Sequence, residues 1–145
     1  MSTTVVVPDH MVGHLRSGLY TLIGDAAEEL SRIVETRNRE LRPESYEEPL
    51  EHLDRARALL NVIGWEATEP TASAHVALRE HQRALMNALN AALLIATQER
   101  EEADAVDAER ARQGEPPTGD VALARFYALR LFVSSVETEV DELHA

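Results

Sequence analysis

The sequence predicts an all-α protein, an antiparallel up-down-up-down four-helix bundle with an extended third helix. Apolar residues recur at three- and four-residue steps along most of the 145-residue chain, and the alternation that is typical of strands is nearly absent. Glycine and proline are also few, with six of each. Few positions therefore force a helix to end, and at this length we expect one domain, residues 1–145.

The segment Ala84–Ala96 is the most apolar stretch of the chain. Leu85 and Leu89 fall on one helical stripe with Ala92 and Ala96, and flanking apolar residues widen that stripe. We therefore expect a helix contacted from several sides, around which the other helices pack. The run is too short and too polar for a membrane span, which needs ~20 mostly apolar residues.

The first element is predicted to be a long helix from Asp9 to Arg39, preceded by the β-prone tail Ser2–Val7. We expect this tail to lie over the helix ends, with an edge strand that pairs with a partner chain as the alternative. Gly24 followed by Asp25 and Glu28 resembles a stop and a new capping box. The apolar phase nevertheless continues through Gly24, which favours one helix, either straight or kinked there.

The second helix is predicted to begin after Ser45 and to end at Gly64, which fits the left-handed residue after a helix. The next helix is predicted to start near Thr71 and to extend to Gln113, far beyond the length of the second. Its last part, Glu99–Arg112, is rich in charge and keeps only a thin apolar line. We expect this part either to protrude as a solvated helix or to be completed by a second protomer.

The last helix follows the clearest break in the chain, Gly114–Gly119, which contains two prolines. Thr118 or Asp120 is the expected cap. The apolar residues of this helix repeat strictly at three and four residues: Phe126, Leu129, Val133, Val136, Val140 and Leu143.

Charge and composition exclude several classes of function. The formal net charge is −12 and the arginines are interleaved with acids, so we expect no nucleic-acid and no membrane partner. No cysteine is present, which excludes thiol catalysis and cysteine-ligated metal sites. All 14 basic residues are arginine, which together with abundant alanine indicates GC-rich coding and predicts a bacterial, cytoplasmic protein.

Histidines are the only candidates for site chemistry. In an up-down-up-down bundle the starts of the first and third helices lie together, which would gather four histidines at one end as candidate metal ligands: His10, His14, His75 and His81. The helical phase argues against this site, because it places His75 on the buried stripe and His10 and His14 facing outward. Trp65, the only tryptophan, is the candidate residue for a ligand pocket.

No phosphate-binding loop, nucleophile elbow or His-Glu-x-x-His motif occurs in the sequence, so we expect no catalytic residues and no cofactor. The leading hypothesis is a non-enzymatic interaction or scaffold protein with a protein partner, most simply a second copy of itself in a homodimer. The alternative hypothesis is a bundle that binds a small molecule or a metal at one end.

Overall fold

The computed structural model describes residues 3–36, 44–118 and 120–145. The predicted all-α class is confirmed, because a two-stranded sheet is the only other regular structure in these residues. The predicted end of the first helix at Arg39 lies outside the described residues. The elements are β1 (Thr4–Val7), α1 (Asp9–Thr36), α2 (Glu44–Ile63), β2 (Ala74–Ala77), α3 (Leu78–Arg112) and α4 (Val121–Leu143).

The middle of α3 is the centre of the core, as the sequence predicts. α3 packs against α1, α2 and α4, and the side chains of Leu85 and Leu89 are completely buried. Leu93 is partly buried against the same cluster. A helix that is contacted by three others needs apolar residues around most of its circumference, and this segment provides them.

Helices α1 and α3 approach each other closely at Gly18. A Cβ atom built on Gly18 would lie 2.0 Å from the carbonyl oxygen of Ala88. Glycine is therefore required at position 18, because any side chain there would push the two backbones apart. α1 continues without interruption through Gly24, where a Cβ atom would meet nothing within 4 Å.

The predicted β-prone segment at the N-terminus forms a strand, which pairs with a second strand of the same chain. β1 pairs antiparallel with β2, with Val7 opposite Ala74 and Thr4 opposite Ala77. β2 was missed because its sequence, AHVA, has a single β-branched residue and continues the helical pattern of the residues after it. Consequently α3 begins at Leu78 and not at Thr71.

Helices α1 and α3 run in opposite directions. Residues 10–17 of α1 border one cavity with residues 92–99 of α3, while residues 22–29 border a second cavity with residues 84–87. An up-down-up-down bundle would hold these two helices parallel. The predicted order is therefore not confirmed, although the helical bundle itself is.

The connection between α2 and α3 explains this difference in direction. Residues 64–77 reach about 45 Å when extended, which exceeds the length of about 30 Å of the 20-residue α2. The connection includes β2, which packs against α2. The chain thus returns along α2, and α3 starts beside the first half of that helix, where His52 and Ala84 border the same cavity.

Candidate functional site

The outward side of α4 carries a second stripe at helical spacing. α4 packs chiefly against α3, through its buried stripe that includes Leu129 and Val133. Leu131 lies two positions from each of these, about 200° around the helix, and is 72% exposed. Three positions before Leu131, Ala128 is partly buried, but the residues four and seven positions before Leu131 and three and seven positions after it are exposed and uncharged. We call this set the outer stripe: Ala124, Tyr127, Leu131, Ser134 and Thr138.

The charges of α4 are divided between its two halves. The first half carries Arg125 and Arg130 and no acidic residue. The second half carries only acidic residues among its charged side chains: Glu137, Glu139, Asp141 and Glu142. The helix therefore has a basic half and an acidic half on either side of Leu131, in a chain whose net charge is −12.

A cavity of about 340 Å³ lies where α1, α3 and α4 meet. Its volume is at the lower end of the range of small-molecule pockets, roughly 300–1,000 Å³. One wall is apolar, and the other groups at its surface are imidazole, hydroxyl, carboxylate and guanidinium. The lining residues are His10, Gly13, His14 and Ser17 of α1, Ala92, Ile95, Ala96 and Glu99 of α3, and Arg125 of α4.

His14 is half-buried in this cavity. Burial lowers the pKa of His14, and the guanidinium of Arg125 acts in the same direction, while the carboxylate of Glu99 acts against both. The imidazole is therefore held in its neutral form at neutral pH. A neutral imidazole offers one hydrogen-bond donor and one acceptor to a bound molecule.

Of the other candidate histidines only His10 lines the cavity that contains His14, and His75, His81 and Trp65 do not. His75 is exposed on β2, opposite Val6, because it belongs to a strand and not to the predicted buried stripe of a helix. The Nε2 atom of His81 lies 3.6 Å from a carboxylate oxygen of Glu80. Among the described residues no group of three or more histidine or acidic side chains is placed to hold a metal ion.

Trp65 belongs to the contact between α1 and the end of α2. Its indole N–H donates a hydrogen bond to Asn61 at 2.8 Å, and its ring packs edge-on against Tyr20, with 6.2 Å between the ring centroids. The Tyr20 hydroxyl also donates a hydrogen bond to the Trp65 carbonyl. Gly64 has φ of +96°, which confirms the predicted left-handed residue after α2. Trp65 thus packs the end of α2 against α1, and it does not line the cavity beside His14.

The charged segment Glu99–Arg112 makes contacts with α4 and with the loop before it. The guanidinium of Arg100 lies 4.8 Å from the centre of the Phe126 ring and 5.6 Å from that of Tyr127. Arg110 donates a hydrogen bond to the carbonyl of Pro116 at 2.7 Å. The returning chain therefore covers one side of this segment, while Val106 on its thin apolar line remains 49% exposed.

Sequence reasoning missed two features of the molecule. Glu99 and Arg125 were not candidates, because their meeting with His14 depends on α1 and α3 running in opposite directions. The outer stripe, by contrast, was visible in the sequence as a second set of residues at three- and four-residue steps.

Among the described residues, no helix is both long enough and apolar enough to span a membrane. Comparisons with protein families, with curated proteins and with solved structures find no match to this chain.

Proposed function

We propose that this chain is a non-enzymatic interaction protein of a bacterial cytoplasm, and that two copies associate through the outer stripes of α4. The observation that carries the proposal is the 72% exposure of Leu131, in the middle of an uncharged stripe opposite the buried stripe of α4. A helix with apolar residues on two opposite sides is normally covered on both. A second copy of α4 supplies the missing cover.

The spacing of the outer stripe suits pairing with an identical helix. Its steps of three and four residues match the seam of a two-helix coiled coil, in which such residues interlock. Leu131 is at the centre of the stripe, which extends seven residues to either side, from Ala124 to Thr138. Two stripes can therefore align with Leu131 of one protomer against Leu131 of the other in either relative direction.

Charge selects the antiparallel arrangement. In an antiparallel pair aligned on Leu131 the basic half of one α4 lies beside the acidic half of the other, with Arg125 only about 3 Å along the axis from Glu139. In a parallel pair like charges lie side by side, which destabilises the complex. One helix pair of about 35 Å covers less area than a standard stable interface, so we expect a dissociation constant of about micromolar order.

Light scattering after size-exclusion chromatography tests the association. The unaltered chain should elute as a concentration-dependent dimer. Leu131→Glu should be a monomer with unchanged helix content, because it places two carboxylates against each other in the seam. Leu50→Glu is the matched control, because Leu50 is also an exposed leucine but lies on α2. A monomeric unaltered chain, or a Leu131→Glu chain that still dimerises, contradicts the proposal.

A charge exchange tests the direction of pairing. Arg125→Glu alone and Glu139→Arg alone should each weaken the dimer by about fivefold, because two symmetry-related pairs of moderate strength are lost. The double variant should recover the affinity of the unaltered chain. In a parallel dimer position 125 is level with its own copy and about 21 Å along the axis from position 139, so the double variant would recover nothing. That result would leave self-association intact and overturn the antiparallel arrangement.

A further inference from the structure

The cavity between α1, α3 and α4 contains two opposite charges that are not paired. Glu99 and Arg125 both line it, yet among the described residues no ion pair or hydrogen bond joins either side chain to another residue. Both groups therefore remain available to a bound molecule. The apolar wall formed by Ala92, Ile95 and Ala96 of α3 borders the same cavity.

Gly13 lies at the edge of the cavity, at a position where the fold does not otherwise require a glycine. It lies inside α1, where glycine costs up to ~1 kcal/mol relative to alanine. Its φ is not positive, and a Cβ atom at this position would meet nothing within 4 Å. Neither backbone conformation nor helix packing therefore requires glycine here. The open space above Gly13 is part of the cavity, so its effect is to keep that space free.

We propose that this cavity binds a small zwitterion with an aliphatic body, of the class of the branched-chain α-amino acids. The guanidinium of Arg125 takes the carboxylate, for which its planar donors are well suited. The carboxylate of Glu99 takes the ammonium group, and the hydrocarbon part lies against Ala92, Ile95 and Ala96. The Ser17 hydroxyl and the neutral His14 imidazole supply further hydrogen bonds.

Calorimetric titration of the full chain with L-leucine and L-valine tests this assignment. The matched probes are 4-methylpentanoate, which is leucine without its ammonium group, and isoamylamine, which is leucine without its carboxylate. We expect one of the two amino acids to bind with a dissociation constant below about 1 mM, and both single-charge probes to bind at least about tenfold more weakly. Absence of binding by both amino acids, or equal binding of either single-charge probe, overturns the proposal.

Variants then locate the binding. Glu99→Gln and Arg125→Gln should each lower the affinity about tenfold or more, and the thermal midpoint of unfolding should be almost unchanged, because neither side chain has a partner to lose. All variants are compared in the Leu131→Glu background, so that any change in self-association does not affect the titration. Unchanged affinity in both variants places the ligand elsewhere and overturns the proposal.

Gly13 and Gly24 of α1 provide a matched pair of variants for this test, because helix packing requires a glycine at neither position. Gly13→Ala and Gly24→Ala should both raise the thermal midpoint, because each removes a glycine from a helix where a methyl group meets nothing. Only Gly13→Ala should weaken amino-acid binding, by about fivefold, since only position 13 borders the cavity. Equal affinity in the two variants contradicts the assigned position of the ligand.

Discussion

The two halves of α3 belong to one continuous helix but are held by different forces. From Leu78 to Ala96 the helix has seven buried residues, all of them leucine or alanine. From Thr97 to Arg112 no residue belongs to the core, and the contacts are those of Arg100 with two rings and of Asp107 and Arg110 with the returning loop. The first half is held by exclusion of water from apolar surface, the second by polar contacts at the surface.

The two halves of α3 contribute unequally to the stability of the molecule. Apolar burial on three sides is worth several kcal/mol per large side chain, whereas exposed polar contacts are each worth about 1 kcal/mol or less. The second half of α3 is therefore expected to open without unfolding the bundle. Its role is to position the start of α4, where Arg125 contributes to the cavity.

The largest change in the free energy of unfolding is expected for a substitution where α1 crosses the first half of α3. Gly18→Ala places a Cβ atom 2.0 Å from the Ala88 carbonyl oxygen, so the two helices must separate. We expect a loss of about 3 kcal/mol or more in the free energy of unfolding, measured by urea titration. Gly24→Ala, in the same helix, should instead increase it by about 0.5–1 kcal/mol. A gain in both variants would show that the crossing is looser than described.

Smaller losses in the free energy of unfolding are expected when an apolar side chain of α3 is truncated. The loss should be greater in the first half of the helix than in the second. Leu89→Ala should lower the free energy of unfolding by about 2–5 kcal/mol, because Leu89 is fully buried in the core. Val106→Ala should cost less than about 1 kcal/mol, since Val106 is already 49% exposed. Equal losses in a denaturant titration would mean that the second half of α3 is as tightly packed as the first.

The smallest effect on stability is expected from the ionisation of Asp107. Its carboxylate accepts hydrogen bonds from the backbone N–H of Thr118 at 2.8 Å and from the Thr118 hydroxyl at 2.7 Å. These two bonds hold the pKa of Asp107 below its ordinary value of 3.8. Because the folded-state pKa is lowered, the contribution to stability is complete above pH 3.8 and is lost as the pH falls through the folded-state pKa.

Titration of the Asp107 carboxyl by NMR measures this effect. Thr118→Ala removes the hydroxyl but keeps the backbone N–H, so the pKa of Asp107 should rise part of the way towards its ordinary value. Asp107→Asn should make the protection of the loop amides, which is their exchange rate relative to the intrinsic rate, independent of pH below 4, about the range in which an aspartate titrates. A pKa of Asp107 at or above the ordinary value in the unaltered chain would show that the loop is not tied to α3.

The predicted parts of the fold are those with a strong local period. The buried stripe around Leu89 and that of α4 follow directly from three- and four-residue spacing, as does the left-handed Gly64 from its place after an apolar run. β2 was not predictable, because a strand of AHVA acquires its conformation from its pairing with Thr4–Val7, far away in the chain. For the candidate site, His10 and His14 were candidates from the sequence, whereas Glu99 and Arg125 were not.

The sequence by itself determined that this chain forms helices, which segment of them is buried, and that α4 carries a second stripe with its charges divided between two halves. These properties depend on residues within a few turns of one another, so the spacing of residues along the sequence is enough to predict them. Only the tertiary structure decided the direction of α3 relative to α1, because a long connection can return along a helix or turn at its end with the same composition. That direction brings His14, Glu99 and Arg125 around one cavity, and no local pattern encodes it.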